Sequence, residues 1–119
     1  MFEIESTDVF RTWLTSAEVD AAAREDIRAV LLVLQELGPR LGRPLADTLK
    51  GSRHSNMKEL RVHSNGRPFR ILYAFDPRRT AVLLVGGNKS GRKRFYKRMI
   101  NLADQLFDVH LEALRRAKK

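Results

Sequence analysis

The residues of this sequence that could do chemistry crowd into positions 58–96: Arg61, Arg67, Arg70, Lys89, Arg92, Lys93 and Tyr96, interleaved with apolar runs. Guanidinium and ammonium groups in such density suit phosphate, whose oxygens accept bidentate, charge-assisted hydrogen bonds. Arg61 and Arg70 fall on adjacent predicted strands, and both alternate away from their strands' apolar residues. On one shared face they can clamp a phosphodiester; the competing reading pairs them with Glu59, Asp76 or Glu112 as ordinary ion pairs. Lys89, Arg92 and Lys93 gather at a predicted helix start, where the macrodipole disfavours cations and free N–H groups attract anions. That local conflict points to an anionic ligand, with a solvated charge run as the alternative. Tyr96, four residues after Arg92 on the same predicted helix face, can stack on a base or, with a pKa lowered by the cations, transfer a proton. Its ring can equally pack at the edge of the core. Glu59 and His63 share a strand face, and either can act as general base on a ribose 2′-hydroxyl; Glu59 beside an arginine also fits a structural ion pair. Lys58, Arg61, His63, Arg67 and Arg94 are the further candidate nucleic-acid contacts.

Other chemistries find little support. The chain has no cysteine, which excludes a disulfide framework, a thiolate nucleophile and Cys-based zinc sites. His54 and His110 have no partner at metal-ligand spacing, so no metal site and no cofactor are expected. The run GGNKSG at 86–91 lacks P-loop spacing, and no nucleophile elbow is present.

A sheet must hold these side chains. In KELRVHS (58–64), Leu60 and Val62 point one way and Glu59, Arg61 and His63 the other. Asn65-Gly66 tolerates the positive φ of a type I′ hairpin turn. The returning FRILYAFD puts Phe69, Ile71, Tyr73 and Phe75 on one face, and Arg70, Leu72 and Ala74 on the other. After a turn at Asp76-Pro77-Arg78-Arg79, the continuously apolar AVLLVG reads as a central strand buried on both sides. A loop over 86–91 follows, with Ser90 capping a last helix that runs to about Leu114.

The upstream residues read as backing. FEIE (2–5) suggests a short first strand, and Ser6 or Thr7 can cap a helical segment carrying Val9, Phe10, Trp13 and Leu14. Ser16 reads as a second cap, and Thr15 with Glu18 has capping-box spacing. The helix predicted over 17–37 carries Ile27, Val30, Leu31 and Leu34 at i, i+3, i+4 and i+7, turns Glu18, Asp20, Glu25, Asp26, Arg28 and Glu36 outward, and stops at Gly38-Pro39. Residues 38–57 form a connector with one short helical turn at 44–50. The expected class is α+β: an N-terminal helical hairpin packed on a small, mainly antiparallel sheet (a short first strand plus a three-stranded meander), with a C-terminal helix. At 119 residues, one domain over 1–119 is expected.

The formal net charge of +9 is unevenly spread: net −5 over 1–37, +13 over 38–100 and +1 over 101–119. A basic block of this kind argues for a polyanionic partner, whose condensed counterions are released on binding. Its cations lie on predicted strands and a tight loop rather than on an amphipathic surface helix, which favours nucleic acid over a membrane. No run approaches the roughly 18 apolar residues of a membrane span. The acidic N-terminus lacks a signal peptide's pattern, so a cytoplasmic location is expected.

The run ELRV…RILYAF…AVLLVGGNKSGRKRFY, preceded by PLADTLKGS, resembles the RelE/ParE superfamily of type II toxin–antitoxin toxins, and most of all its HigB-like, phage-derived branch. The resemblance covers most of the chain. It implies an mRNA interferase that cleaves translated mRNA on the ribosome, by attack of a ribose 2′-hydroxyl on the neighbouring phosphate without metal. It also implies a cognate antitoxin, typically a helix-turn-helix protein encoded beside the toxin. By motif match, Arg70 is the strand arginine at the scissile phosphate, Lys89, Arg92 and Lys93 belong to the basic loop, and Tyr96 is the helix tyrosine that stacks on a base or assists proton transfer. Where the best-known member has lysines on a strand face, this chain offers Met57 and Glu59, so Glu59 becomes a candidate base. Two alternatives stay open: a non-enzymatic, ParE-like gyrase poison, and a basic nucleic-acid-binding module without catalysis.

Overall fold

The computed structural model describes residues 1–118. Five strands, β1 (Ile4–Ser6), β2 (Ala46–Thr48), β3 (Lys58–Ser64), β4 (Arg67–Phe75) and β5 (Ala81–Asn88), form one sheet in the order β1-β5-β4-β3-β2. β1 runs parallel to β5, and the other pairs are antiparallel. Alternation decides the faces. Leu60, Val62, Phe69, Ile71 and Tyr73 are buried against α1 (Asp8–Leu14) and α2 (Ala21–Leu37), with Phe10, Ile27 and Leu34 opposite them. Leu72, Ala74, Val82 and Leu84 are buried on the other face against Ile100, Ala103 and Phe107 of α3 (Phe95–Ala117). Each large side chain so buried contributes roughly 2 kcal/mol, and a one-residue slip would turn the whole set to the wrong face. The α+β class is as expected, and β5, an interior strand between β1 and β4, is buried on both sides over Ala81–Val85 as AVLLVG predicts, although β4 is the central strand.

Local signals acted as read in several places. Thr7 caps α1, its Oγ1 accepting from the Phe10 amide at 3.0 Å. Asn65 and Gly66 take φ of 50° and 78°, the positive values of the predicted hairpin turn. Gly38 ends α2 with φ 57°, beneath the Phe2 ring.

Elsewhere the elements differ from those predicted. The stretch read as a helical turn at 44–50 contains β2, an edge strand paired to β3 with Asp47 opposite Glu59. α2 starts at Ala21 rather than near residue 17, because the Asp20 side chain accepts from the Ala23 amide at 2.9 Å and so supplies the cap, not Ser16. Gly86, Gly87 and Asn88 extend β5 instead of opening a loop, because β4 continues opposite them as far as Phe69. Ser90 does not cap α3; the cap position is Arg94, left-handed at φ 61° and without a side-chain hydrogen bond.

One irregularity matters for the site. Leu72 pairs with Val85 but Tyr73 with Leu83, so Leu84 is an extra residue, a β-bulge. Beyond it the alternation of β5 is reversed, and Gly86 meets Trp13 while Gly87 meets Phe95 on the α3 side. Among the described residues no helix is long and apolar enough to cross a membrane.

Candidate functional site

The residues singled out from the sequence converge at the N-terminal end of α3, on the sheet face that α3 covers. Arg61 and Arg70 are direct cross-strand neighbours, and the residue on the other side of Arg70 is Gly87, which has no side chain to fill the space. Phe95 and Met99 occupy that space, and beside Phe95 stands Tyr96. Its hydroxyl donates to Glu59 Oε1 at 2.7 Å and accepts from Arg70 Nε at 3.2 Å. Glu59 Oε2 in turn accepts from Arg61 Nε at 3.1 Å. Arg61 also reaches Asp47 at 3.3 Å, so the chain of contacts runs Arg70, Tyr96, Glu59, Arg61, Asp47. Both arginines share a face, as the clamp reading requires, yet their nearest anion is Glu59, as the ion-pair reading requires.

Burial grades the members. Glu59 is 3% exposed and Arg70 7%, whereas Tyr96 is half-buried and His63 exposed. A buried carboxylate is tolerated here because three donors surround it. Arg70 Nη1 donates to its neighbour's carbonyl, Phe69 O, at 3.0 Å. Its Nη2 has no hydrogen-bond partner among the described residues and is not sealed from solvent, so this nitrogen is what Arg70 can offer an incoming anion. The Tyr96 hydroxyl is raised above the ordinary tyrosine pKa by burial first and by its bond to Glu59 second, against a smaller opposing pull from Arg70. That corrects the expectation of a lowered value. The neighbouring cations do not dominate, because the closest partner of the phenol is a carboxylate.

The basic loop lies alongside. Lys89 Nζ sits 5.7 Å from the centroid of the Tyr96 ring, a cation–π contact. Arg92, Lys93 and Arg94 are exposed and, with Lys89, Tyr96 and Lys97, line an open groove of about 540 Å³. Arg92 precedes the helix rather than sharing a helical face with Tyr96. Tyr96 is positioned through Phe95, whose ring packs edge-on to it at 5.4 Å and rests on Gly87.

Two candidates point elsewhere. Arg67 shares the alternation of Phe69 and so faces α2; it bonds Asp20 at 3.0 Å and lies over the Phe69 ring at 5.3 Å. Lys58, opposite Tyr73, is on that same face. Conversely, two acids of the site were not anticipated. Asp47 arrives on a three-residue strand too short to carry a periodic signal. Glu18, read as part of an outward polar face and a capping box, instead accepts from the Trp13 indole at 3.0 Å, the Asn88 amide at 3.3 Å and Arg92 at 3.4 Å. Their spacing in the chain matches no local motif.

His54 and His110 serve α3 rather than the site. His54 bonds Asp108 at 2.7 Å, and His110 bonds the buried Asp76 at 2.8 Å.

Residues 13–108 match the family model described as "Phage derived protein Gp49-like". "Putative toxin HigB2" of Mycobacterium tuberculosis is 50% identical over 101 residues, which cover 83% of this chain and 49% of that protein. "Putative toxin HigB3" of the same organism is 45% identical over 94 residues, 78% of this chain and 79% of that protein. The chain thus spans about half the length of the first relative and about four fifths of the second. The matched span takes in both helical layers and every strand of the sheet but β1, and on it the chain belongs to the phage-derived Gp49-like family, the HigB-like branch that its strand and loop motifs resemble.

Proposed function

We propose that the chain is the toxin of a type II toxin–antitoxin system and acts as a metal-independent, ribosome-dependent mRNA endoribonuclease that stops translation and growth. The toxin part rests on the relatives' names and family. The nuclease part rests chiefly on one observation, the bridge from Arg70 through the Tyr96 hydroxyl to Glu59 beside a groove of exposed cations.

The reaction is attack of a ribose 2′-oxygen on the adjacent phosphorus. The 2′-hydroxyl proton leaves to a base, a bond from phosphorus to the 2′-oxygen forms, the bond to the 5′-oxygen breaks, and that oxygen takes a proton. Arg70 Nη2, Lys89, Arg92 and Lys93 fit the charge that develops on the phosphate oxygens. Tyr96, kept neutral at physiological pH, fits the proton donor to the leaving oxygen. Glu59 fits the acceptor, receiving a proton directly or through Tyr96, because it lies between two arginines and accepts from the phenol that lines the groove. His63 and Arg94 flank this path as RNA contacts. The partners in this reading are translated mRNA on the ribosome and a cognate antitoxin, a helix-turn-helix protein encoded alongside, all in the cytoplasm.

The test is induced expression of wild type beside Arg70→Ala and Tyr96→Phe, with growth followed and transcript ends mapped. Cuts within codons in wild type, lost together with growth arrest in Arg70→Ala, support the reading. Arrest with intact transcripts and inhibited supercoiling would move the protein to the gyrase-poison alternative. Harmless expression with salt-sensitive RNA binding would leave a binding module.

A further inference from the structure

We propose that Glu18, in the turn between α1 and α2, is a positioning residue that fixes the root and the cation of the loop after β5. The inference rests on reading that loop as an RNA-binding element. Glu18 spends both carboxylate oxygens, one of them on groups far apart in the chain. Oε2 takes the indole N–H of Trp13 and the backbone N–H of Asn88, the last residue of β5; Oε1 takes Arg92. Trp13 is itself wedged in place, its ring lying where a Cβ on Gly86 would come within 2.3 Å and meeting Phe69 edge-on at 5.9 Å. The carboxylate is therefore aimed by a packed aromatic rather than by a free surface rotamer.

At the loop's root the Lys89 amide donates to Pro68 O at 2.9 Å and the Ser90 amide to Asn88 Oδ1 at 2.9 Å. Beyond that, the Arg92 amide has only a 3.4 Å bond to Lys89 O, and Lys93 and Arg94 are exposed. Glu18 is the described acid that reaches this loop, so it ties the helical backing to Arg92 and sets where the cations stand beside Tyr96. Without it the loop keeps its charge but loses its geometry, because the Asn88 amide and Arg92 guanidinium are released together.

The experiment compares the full chain with Glu18→Ala, Glu18→Gln and Arg92→Ala by hydrogen exchange, by emission of Trp13, the only tryptophan, and by anisotropy of a short labelled single-stranded RNA across salt concentrations. Glu18→Ala should speed exchange at residues 88–92 by roughly fivefold or more while the β3–β4 amides hold, as loss of local bonds predicts, and should shift Trp13 emission. Arg92→Ala should lower the salt slope of RNA binding by about one in the wild-type background, and by less than half as much when Glu18 is Ala. Glu18→Gln keeps an oxygen for Trp13 and Asn88 but no acceptor for Arg92. It should retain wild-type emission while losing the Arg92 coupling, and it decides the matter where Glu18→Ala does not fold. Unchanged loop exchange and emission in Glu18→Ala, or an Arg92 effect equal in all backgrounds, would overturn the proposal. A wild-type chain that binds no free RNA overturns the reading of the loop as an RNA-binding element instead, the ribosomal activity being judged by transcript ends, and exchange and emission then judge Glu18 alone.

Discussion

Tyr96 and Glu59, 37 positions apart, share one short hydrogen bond: the phenol donates to Oε1 at 2.7 Å while Arg70 donates to the phenol from the other side. A buried carboxylate and a half-buried hydroxyl thus form one unit, and neither can be changed without leaving the other's partners exposed or unpaired. Tyr96→Phe removes only the hydroxyl and keeps the ring on Phe95. Under the nuclease reading it should lower cleavage on translating ribosomes by about 100-fold or more, with the fold intact by circular dichroism. Glu59→Ala leaves Arg70 buried without its nearest anion and should lower stability by about 3 kcal/mol in urea unfolding. Equal stability of wild type and Glu59→Ala would mean that the carboxylate is not buried against the arginines.

Arg94 stands at the cap position of α3 in a left-handed conformation that side chains with a Cβ adopt at a cost of roughly 1–2 kcal/mol. Arg94→Gly should therefore stabilise the fold, by about 1 kcal/mol. It should also weaken RNA binding and lower the salt slope by about one. Opposite signs in thermal melts and anisotropy are the expected result; a variant that loses both would place Arg94 in the structure alone.

Gly86 lies under the Trp13 ring, where a methyl group would meet ring carbons at 2.3 Å. Gly86→Ala must push the indole outward, with a destabilisation of about 1–3 kcal/mol. Trp13 emission reports this directly, shifting to the red as the ring leaves the sheet. Gly42, with open space around it, is the control: Gly42→Ala should leave the emission unchanged.

Stability should fall at both ends of the pH scale. Burial pushes the Asp76 carboxyl up, but hydrogen bonds from Arg78, His110 and the Thr80 and Arg78 amides outweigh it and hold the group below its ordinary value of 3.8. A lowered folded value gives stability that is present above pH 3.8 and lost as the pH drops through the folded value. Tyr73, raised by burial, and Tyr96, raised by burial and Glu59, have the opposite sign. Their contribution is complete below the ordinary 10.0 and is lost as pH climbs above it. Melting temperatures from pH 2 to 12 should form a plateau with two falling limbs, and Asp76→Asn should flatten the acid limb.

The strand faces, the hairpin at Asn65-Gly66, the Thr7 cap and the end of α2 at Gly38 were legible because each depends on neighbours a few residues away. The start of α2, β2, the extension of β5 through Gly87 and the cap of α3 were not. β2 and the end of β5 are decided by pairing strands, as when β3 recruits Ala46–Thr48 to an open edge, whereas α2 starts where Asp20, one of several local candidates, supplies the cap.

The same division runs through the site. Residue types and alternation turned Arg61, Arg70 and Glu59 away from their strands' alternating apolar residues, gave the charge its sign and placed Tyr96 near the start of the last helix, and the strand register then put the three on one face. Tertiary structure decided what those groups do to one another. The bulge at Leu84 turns Gly87 toward Phe95, which packs there with Met99, and Tyr96 beside Phe95 reaches both Arg70 and Glu59. The phenol is then held by a carboxylate as well as a cation, so its pKa rises where a string of nearby arginines and lysines implied a fall. Spacing along a chain fixes which groups can share a face, but the sign of a pKa shift depends on the nearest partner and its desolvation, and both are set only when separate elements pack.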